Sequence, residues 1–183
     1  MNYAYVLAID PSGSYNEGKG TTGYCLMHCN TGVPCACGTI RAAAAPTKLG
    51  YWKAHIDLID RYYKQSTPAC ALKIVLEDYL LYADKAVSQI NSHMETSKLI
   101  GILQYHCELN KYPYAMQTAS EVMMRWTDTI LVYKNIIKQK NSRIYTDQND
   151  KRLCVHERDA IRHAIHFSTF KNKEAQTHGG ERT

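Results

Sequence analysis

Acidic residues stand where apolar segments stop, and this arrangement constrains the chain more than any other feature. Asp10 follows a strand-like run over residues 3–9, and Glu77 follows a second run over residues 71–76. Near the C-terminus His156 and Asp159 open an amphipathic stretch, three residues apart. Strand ends and helix starts are rigid, so they hold carboxylates against one another with little wobble. Two carboxylates about 4 Å apart repel by roughly 4 kcal/mol at an effective dielectric near 20. A fold that gathers three of them needs a compensating cation. If the first and fourth strands are neighbours, Asp10 and Glu77 emerge side by side at one sheet edge. A helix crossing that edge delivers Asp159 and, one turn earlier, His156, because residues i and i+3 share a helix face. The combination points to a divalent-metal centre suited to phosphodiester cleavage. Singly, each residue has a plainer account: a turn at Asp10-Pro11, a solvated strand end at Glu77, helix-start residues at His156 and Asp159.

The 183 residues suffice for one domain with a proper core. A hydrophobic content of 45% with 21% charged residues is that of a soluble globular chain. No run approaches the roughly 18 apolar residues of a membrane helix, and the N-terminus has no secretory pattern. A cytosolic protein is expected, its seven cysteines reduced. The net charge of +5 permits a polyanionic partner without requiring one. Lys134, Lys138, Lys140, Arg143, Lys151 and Arg152 crowd one segment, which is equally a solvated loop or a phosphate-contact surface.

Patterning gives strands over residues 3–9, 21–29, 34–42, 71–77 and 112–118. It gives helices over 46–65, with Leu49, Trp52, Ile56, Ile59 and Tyr63 inward, and over 84–110, with Ile90, Met94, Leu99, Ile102, Leu103 and Leu109 inward. Ser120 and Thr127 read as N-caps of helices to Trp126 and to about Lys138. Residues 141–152 read as a loop, and 156–170 as a closing helix with Ala160, Ile161, Ala164, Ile165 and Ser168 inward.

The stretches Ile9-Asp10-Pro11, Thr22-Gly23-Tyr24, Gly38-Thr39-Ile40-Arg41, Ile74-Val75-Leu76-Glu77 and His156-Glu157-Arg158-Asp159-Ala160 together resemble RuvC-type Holliday junction resolvases, of the RNase H-like superfamily. The resemblance runs from residue 3 to residue 168 and implies an α/β RNase H-like fold, a five-stranded mixed sheet flanked by helices. It implies a nuclease domain over 1–170 and a polar, flexible tail over 171–183. By position Asp10, Glu77, His156 and Asp159 correspond to the family's catalytic metal ligands. Two Mg²⁺ (or Mn²⁺) ions are implied, about 3.5–4 Å apart, with Asp10 between them. Also implied is a homodimer that makes paired nicks in four-way or other branched DNA inside a bacterial cell. The helix after Glu77, with Ile102 and Leu103, is the candidate dimer contact, or else ordinary core.

The chain departs from the family in ways that suggest a bacteriophage-type branch. Residues 12–20 are inserted, and their Lys19, between Gly18 and Gly20, belongs to a mobile surface loop or else approaches a phosphate. Where the family has a wedge aromatic stands Leu80, flanked by Tyr79 and Tyr82, which either stack on an unpaired base or are buried between sheet and helix. Met123 and Met124 occupy a stretch expected to be basic, Arg125 remains, and Lys134, Lys138, Lys140 and Arg143 are candidates to take over the phosphate contacts.

His156-Glu157 begins like a zinc-protease motif, but Ala160 stands where the second histidine belongs. Cys25, Cys29, Cys35 and Cys37 with His28 suit a tetrahedral zinc site poorly, because strand alternation sends neighbours to opposite faces. His163, one turn beyond Asp159, reads as a surface histidine or as support for the metal. Two other functions stay open: a non-catalytic nucleic-acid-binding scaffold of RNase H-like fold, and an actin-like or sugar-kinase-type ATP-binding domain.

Overall fold

Residues 6–9 have no exposed surface, so the first strand has no face for water and takes the centre of a sheet. The computed structural model describes residues 3–15, 18–78 and 94–172. Its main sheet contains β1 (Tyr5–Asp10), β2 (Thr21–His28), β3 (Val33–Arg41), β4 (Leu72–Asp78) and β5 (Tyr114–Thr118), in the order β3-β2-β1-β4-β5. β1 to β3 form the expected antiparallel meander, while β4 joins β1, and β5 joins β4, in parallel. Ile9 pairs with Leu76, so Asp10 and Glu77 follow at the same end of neighbouring strands.

Strand alternation divides the core in two. Val6, Ala8, Cys25, Met27 and Val75 face helix α5 (Val155–His166), which continues as a π-helical turn through Phe167–Lys171. Leu7, Ile9, Ile74 and Leu76 face α1 (Lys48–Lys64) and α2 (Glu95–Leu109). Two short helices, α3 (Ala119–Met123) and α4 (Asp128–Tyr133), follow β5. By this alternation Asp10 and Glu77 share parity with Ala8 and Val75 and turn towards α5.

Several expectations are corrected. Residues 141–152 are not a loop: β6 (Lys138–Asn141), β7 (Ile144–Thr146) and β8 (Arg152–Leu153) form a three-stranded antiparallel sheet. The preceding helix ends at Tyr133 rather than Lys138, because Asn135 turns left-handed and Ile136 and Ile137 plunge into the core. Asn141 Oδ1 then accepts from the amides of Arg143 and Ile144 and closes the hairpin. Thr118, not Ser120, caps α3, whereas Thr127 caps α4 as expected. Leu49 and Leu109 are exposed; the buried stripe of α1 is Tyr51, His55, Leu58 and Ile59. Leu103 is fully buried, which assigns it to the core and removes it as a dimer contact, while Ile102 is half-buried. His163 is buried at 2% exposure, not a surface residue. Tyr79, Leu80, Tyr82, Ile90, the first part of the expected 84–110 helix and the tail beyond Asn172 lie outside the described residues. Among the described residues no helix is long and apolar enough to cross a membrane.

One glycine permits the close approach on which the site depends. Gly23, paired with Asp10 across β1 and β2, sits under the start of α5, and a Cβ there would collide with the carbonyl group of His156. Gly23→Ala should therefore push the helix start off the sheet. A loss of about 1–3 kcal/mol is expected from overpacking, read as a lower midpoint in chemical denaturation. An unchanged midpoint would mean that the contact does not constrain the helix.

Candidate metal centre

The site assembles where β1 and β4 end under the first turns of α5. Cys154 caps that helix through a reciprocal box: its Sγ accepts from the Glu157 amide at 3.5 Å, and Glu157 Oε2 accepts from the Cys154 amide at 2.9 Å. Starting the helix at Val155 puts His156 and Asp159 on one face, over Asp10. His156 Nδ1 donates to Asp10 Oδ2 at 2.7 Å. Asp10, His156 and Asp159 each offer a ligand atom, all within 4.8 Å of one another, and they are the one such cluster of potential ligands among the described residues.

The loop after Asp10 is braced from behind. The Ser12 amide donates to Thr22 Oγ1 at 2.9 Å, and the Tyr51 hydroxyl donates to the Ser12 carbonyl at 2.5 Å. His55 Nε2 lies 2.7 Å from Thr22 Oγ1, and burial pushes this histidine down to about 4, so it remains neutral. Thr22, in the Thr22-Gly23-Tyr24 motif, thus links loop, strand and α1.

Burial is the largest influence on Asp10 and pushes its carboxyl up to about 6, with repulsion from Glu77 and Asp159 adding to it and His156 opposing. Asp159 is raised by burial, against the attraction of Arg162. His156 is raised chiefly by its hydrogen bond to Asp10. A pair of desolvated carboxylates beside an imidazole is an oxygen-and-nitrogen donor set that fits a divalent cation. The residues present therefore fit a divalent metal, as expected.

Glu77 stands apart from this cluster. Its Oε2 accepts from His163 Nε2 at 2.9 Å, while Glu77 and Asp159 both line a small cavity of about 40 Å³ with Met123, Arg162 and His163. Of the four expected ligands, three converge and the fourth is held on the same rim by a histidine. Sequence reasoning missed Arg162, which ion-pairs with both Asp159 and Asp128 and donates from Nε to the Trp126 carbonyl at 2.8 Å. It missed Gln117 too, the cross-strand neighbour of Glu77. Arginine and histidine following Asp159 on a buried helix face were the available signal.

The expected DNA-contact residues are dispersed. Lys19 is exposed between Gly18 and Gly20, and Arg125 lies over the Phe170 ring at 4.9 Å. Lys134 stands 6.0 Å from the Trp126 ring centroid. Lys138 and Lys140 flank Asp150 at 3.7 and 3.6 Å on the small sheet, whose β6–β7 turn exposes Arg143. All seven cysteines are free, with Cys25 and Cys29 buried as small apolar groups.

No protein-family model matches the sequence, and no curated protein matches it. Among solved structures, Thermus thermophilus RuvC in complex with a Holliday junction substrate is similar with a TM-score of 0.57 and 11% identity, over 97% of this chain and 97% of that one. A second Thermus thermophilus RuvC structure gives a TM-score of 0.57 and 10% identity, over 93% and 96%. The fold is RuvC-like and RNase H-like.

A raised Asp10 makes the metal-free site a stability burden at neutral pH. Its favourable contribution is fully present below pH 3.8 and is lost as pH rises through about 6, the folded value. Asp10→Asn should thus stabilise the metal-free protein at pH 7 by on the order of 1–3 kcal/mol, read as a higher Tm. The same proton competes with metal, so Mn²⁺ affinity of the unaltered protein should fall as pH drops through about 6. A flat titration between pH 5 and 7.5 would contradict the assignment.

Proposed function

We propose that this protein is a divalent-metal-dependent, structure-selective DNA endonuclease that resolves four-way or otherwise branched DNA by paired nicks. The observation that carries this is the convergence of Asp10, His156 and Asp159 at one edge of a RuvC-like sheet. These three residues would hold a divalent ion, with Glu77 on the same rim available for a second. The chemistry such ions would supply there is activation of water for phosphodiester hydrolysis. Asp10, stripped of water by burial, orients the ligand cluster. Arg162 holds Asp159 from the protein side and offsets its charge.

The DNA surface extends from this centre onto the small basic sheet. β8 runs directly into the cap of α5, and Lys151 ties the two by donating to Glu157 Oε1 at 2.9 Å and to the Cys37 carbonyl at 2.7 Å. Lys134, Lys138, Lys140 and Arg143, with Arg125 and Lys19, supply phosphate contacts. Tyr79 and Tyr82 supply stacking at the branch. Two copies of the chain act together, with α2 and its exposed Tyr105 and Leu109 as the contact. The departures from the family belong to a bacteriophage-type enzyme acting in a bacterial cell.

Incubation of the purified protein with an end-labelled four-way junction and Mg²⁺ should give symmetric nicks with 5′-phosphate and 3′-hydroxyl ends. Three-way, flap and linear duplex substrates define the selectivity. Asp10→Asn should abolish cutting and keep junction binding, because phosphate contacts supply most of the affinity. Binding without cutting by the unaltered protein would instead identify a scaffold, and ATP turnover without DNA effects would identify the kinase-like alternative. Replacing Lys138 and Lys140 by Ala should flatten the slope of log K against log[salt] by about 1.8, near 0.9 per phosphate lost. An unchanged slope removes that sheet from the interface.

A further inference from the structure

Where α5 crosses the main sheet it presents small and apolar side chains, Ala160, Ile161, Ala164 and Ile165, to the strands beneath. His163 breaks this pattern at the level of Glu77. It is 2% exposed, and both ring nitrogens are engaged: Nε2 with Glu77 Oε2 at 2.9 Å and Nδ1 with the Gln117 side-chain amide at 3.0 Å. Gln117 is itself 3% exposed, and the other end of its amide has no hydrogen-bond partner among the described residues. Burying two polar groups with one atom unpartnered is unfavourable where an aliphatic pair would fill the space. The cost has a purpose if the pair acts on Glu77.

We propose that His163, backed by Gln117, is a positioning residue that fixes the Glu77 carboxylate for metal binding. The proposal rests on the metal-centre reading above. The chemistry is a relay of hydrogen bonds. In the tautomer that donates from Nε2 to Glu77, Nδ1 accepts, and the Gln117 amide nitrogen supplies that donor when the amide is turned by half a rotation. Gln117 thereby selects the tautomer, and His163 selects the orientation of the carboxylate. β4 and β5 pair Glu77 with Gln117 directly, so one ring reaches both. Such outer partners of metal ligands typically change metal affinity by about 10–100-fold when removed.

The test compares His163→Leu, which keeps apolar bulk and removes the donor, with His163→Gln, whose Nε2 can take the place of the ring nitrogen. Mn²⁺ affinity is measured by electron paramagnetic resonance on the DNA-free protein, alongside Tm. His163→Leu should bind Mn²⁺ about 10-fold or more weakly with Tm preserved or raised, and His163→Gln should recover most of the loss. Unaltered affinity in His163→Leu, or equal losses in both variants, would overturn the proposal. Should His163→Leu fail to fold, Gln117→Met carries the test, with a weaker affinity expected and an unaltered one overturning it. If the unaltered protein binds no Mn²⁺, the metal-centre reading fails and the proposal with it; a loss of the proposal alone leaves wild-type binding intact.

Discussion

The closeness of Gly23 to the His156 backbone is the contact on which the rest of the structure depends. A helix usually rides about 10 Å from a sheet because side chains fill the gap. At Gly23 there is none, and the first turn of α5 comes down onto the strand pair at the place where β1 ends. Only then does His156 reach Asp10 at 2.7 Å, with Asp159 one turn along. The cap at Cys154 sets where the helix begins, and Thr22, Tyr51 and His55 fix the loop that leaves Asp10. Packing and capping, neither of them catalytic, together determine the geometry of the ligands.

That geometry is electrostatically unfavourable without a cation, and the fold distributes the burden. Burial and mutual repulsion raise Asp10 and Asp159, while His156, Arg162 and His163 each lean on one carboxylate. Three partially neutralised acids thus meet at one sheet edge, with Asp10 buried and Glu77 and Asp159 partly so. A site optimised for stability would replace them with apolar residues or complete ion pairs. A divalent ion would relieve that tension.

Much of this was legible in the chain. Patterning gave the five main strands in chain order, and taking the first and fourth as neighbours, as the sheet has them, lets strand parity and the i, i+3 rule bring Asp10, His156 and Asp159 together while Glu77 stands apart on the same rim. The small sheet after α4 was not legible: its strands are two to four residues long, too short for alternation to show. Leu49 and Leu109 misled because helix periodicity locates a stripe without saying which side of it meets the neighbouring helix. The surface reading of His163 failed for a related reason. A lone histidine on a helix is polar by composition, and only the tertiary pairing with Glu77 and Gln117 explains its burial.

The most direct measurement is anomalous scattering from a crystal of the protein grown with Mn²⁺. The account places a manganese peak within coordination distance of Asp10, His156 and Asp159. A crystal saturated with Mn²⁺ that shows no peak among those three side chains, or one held by other residues, would contradict it.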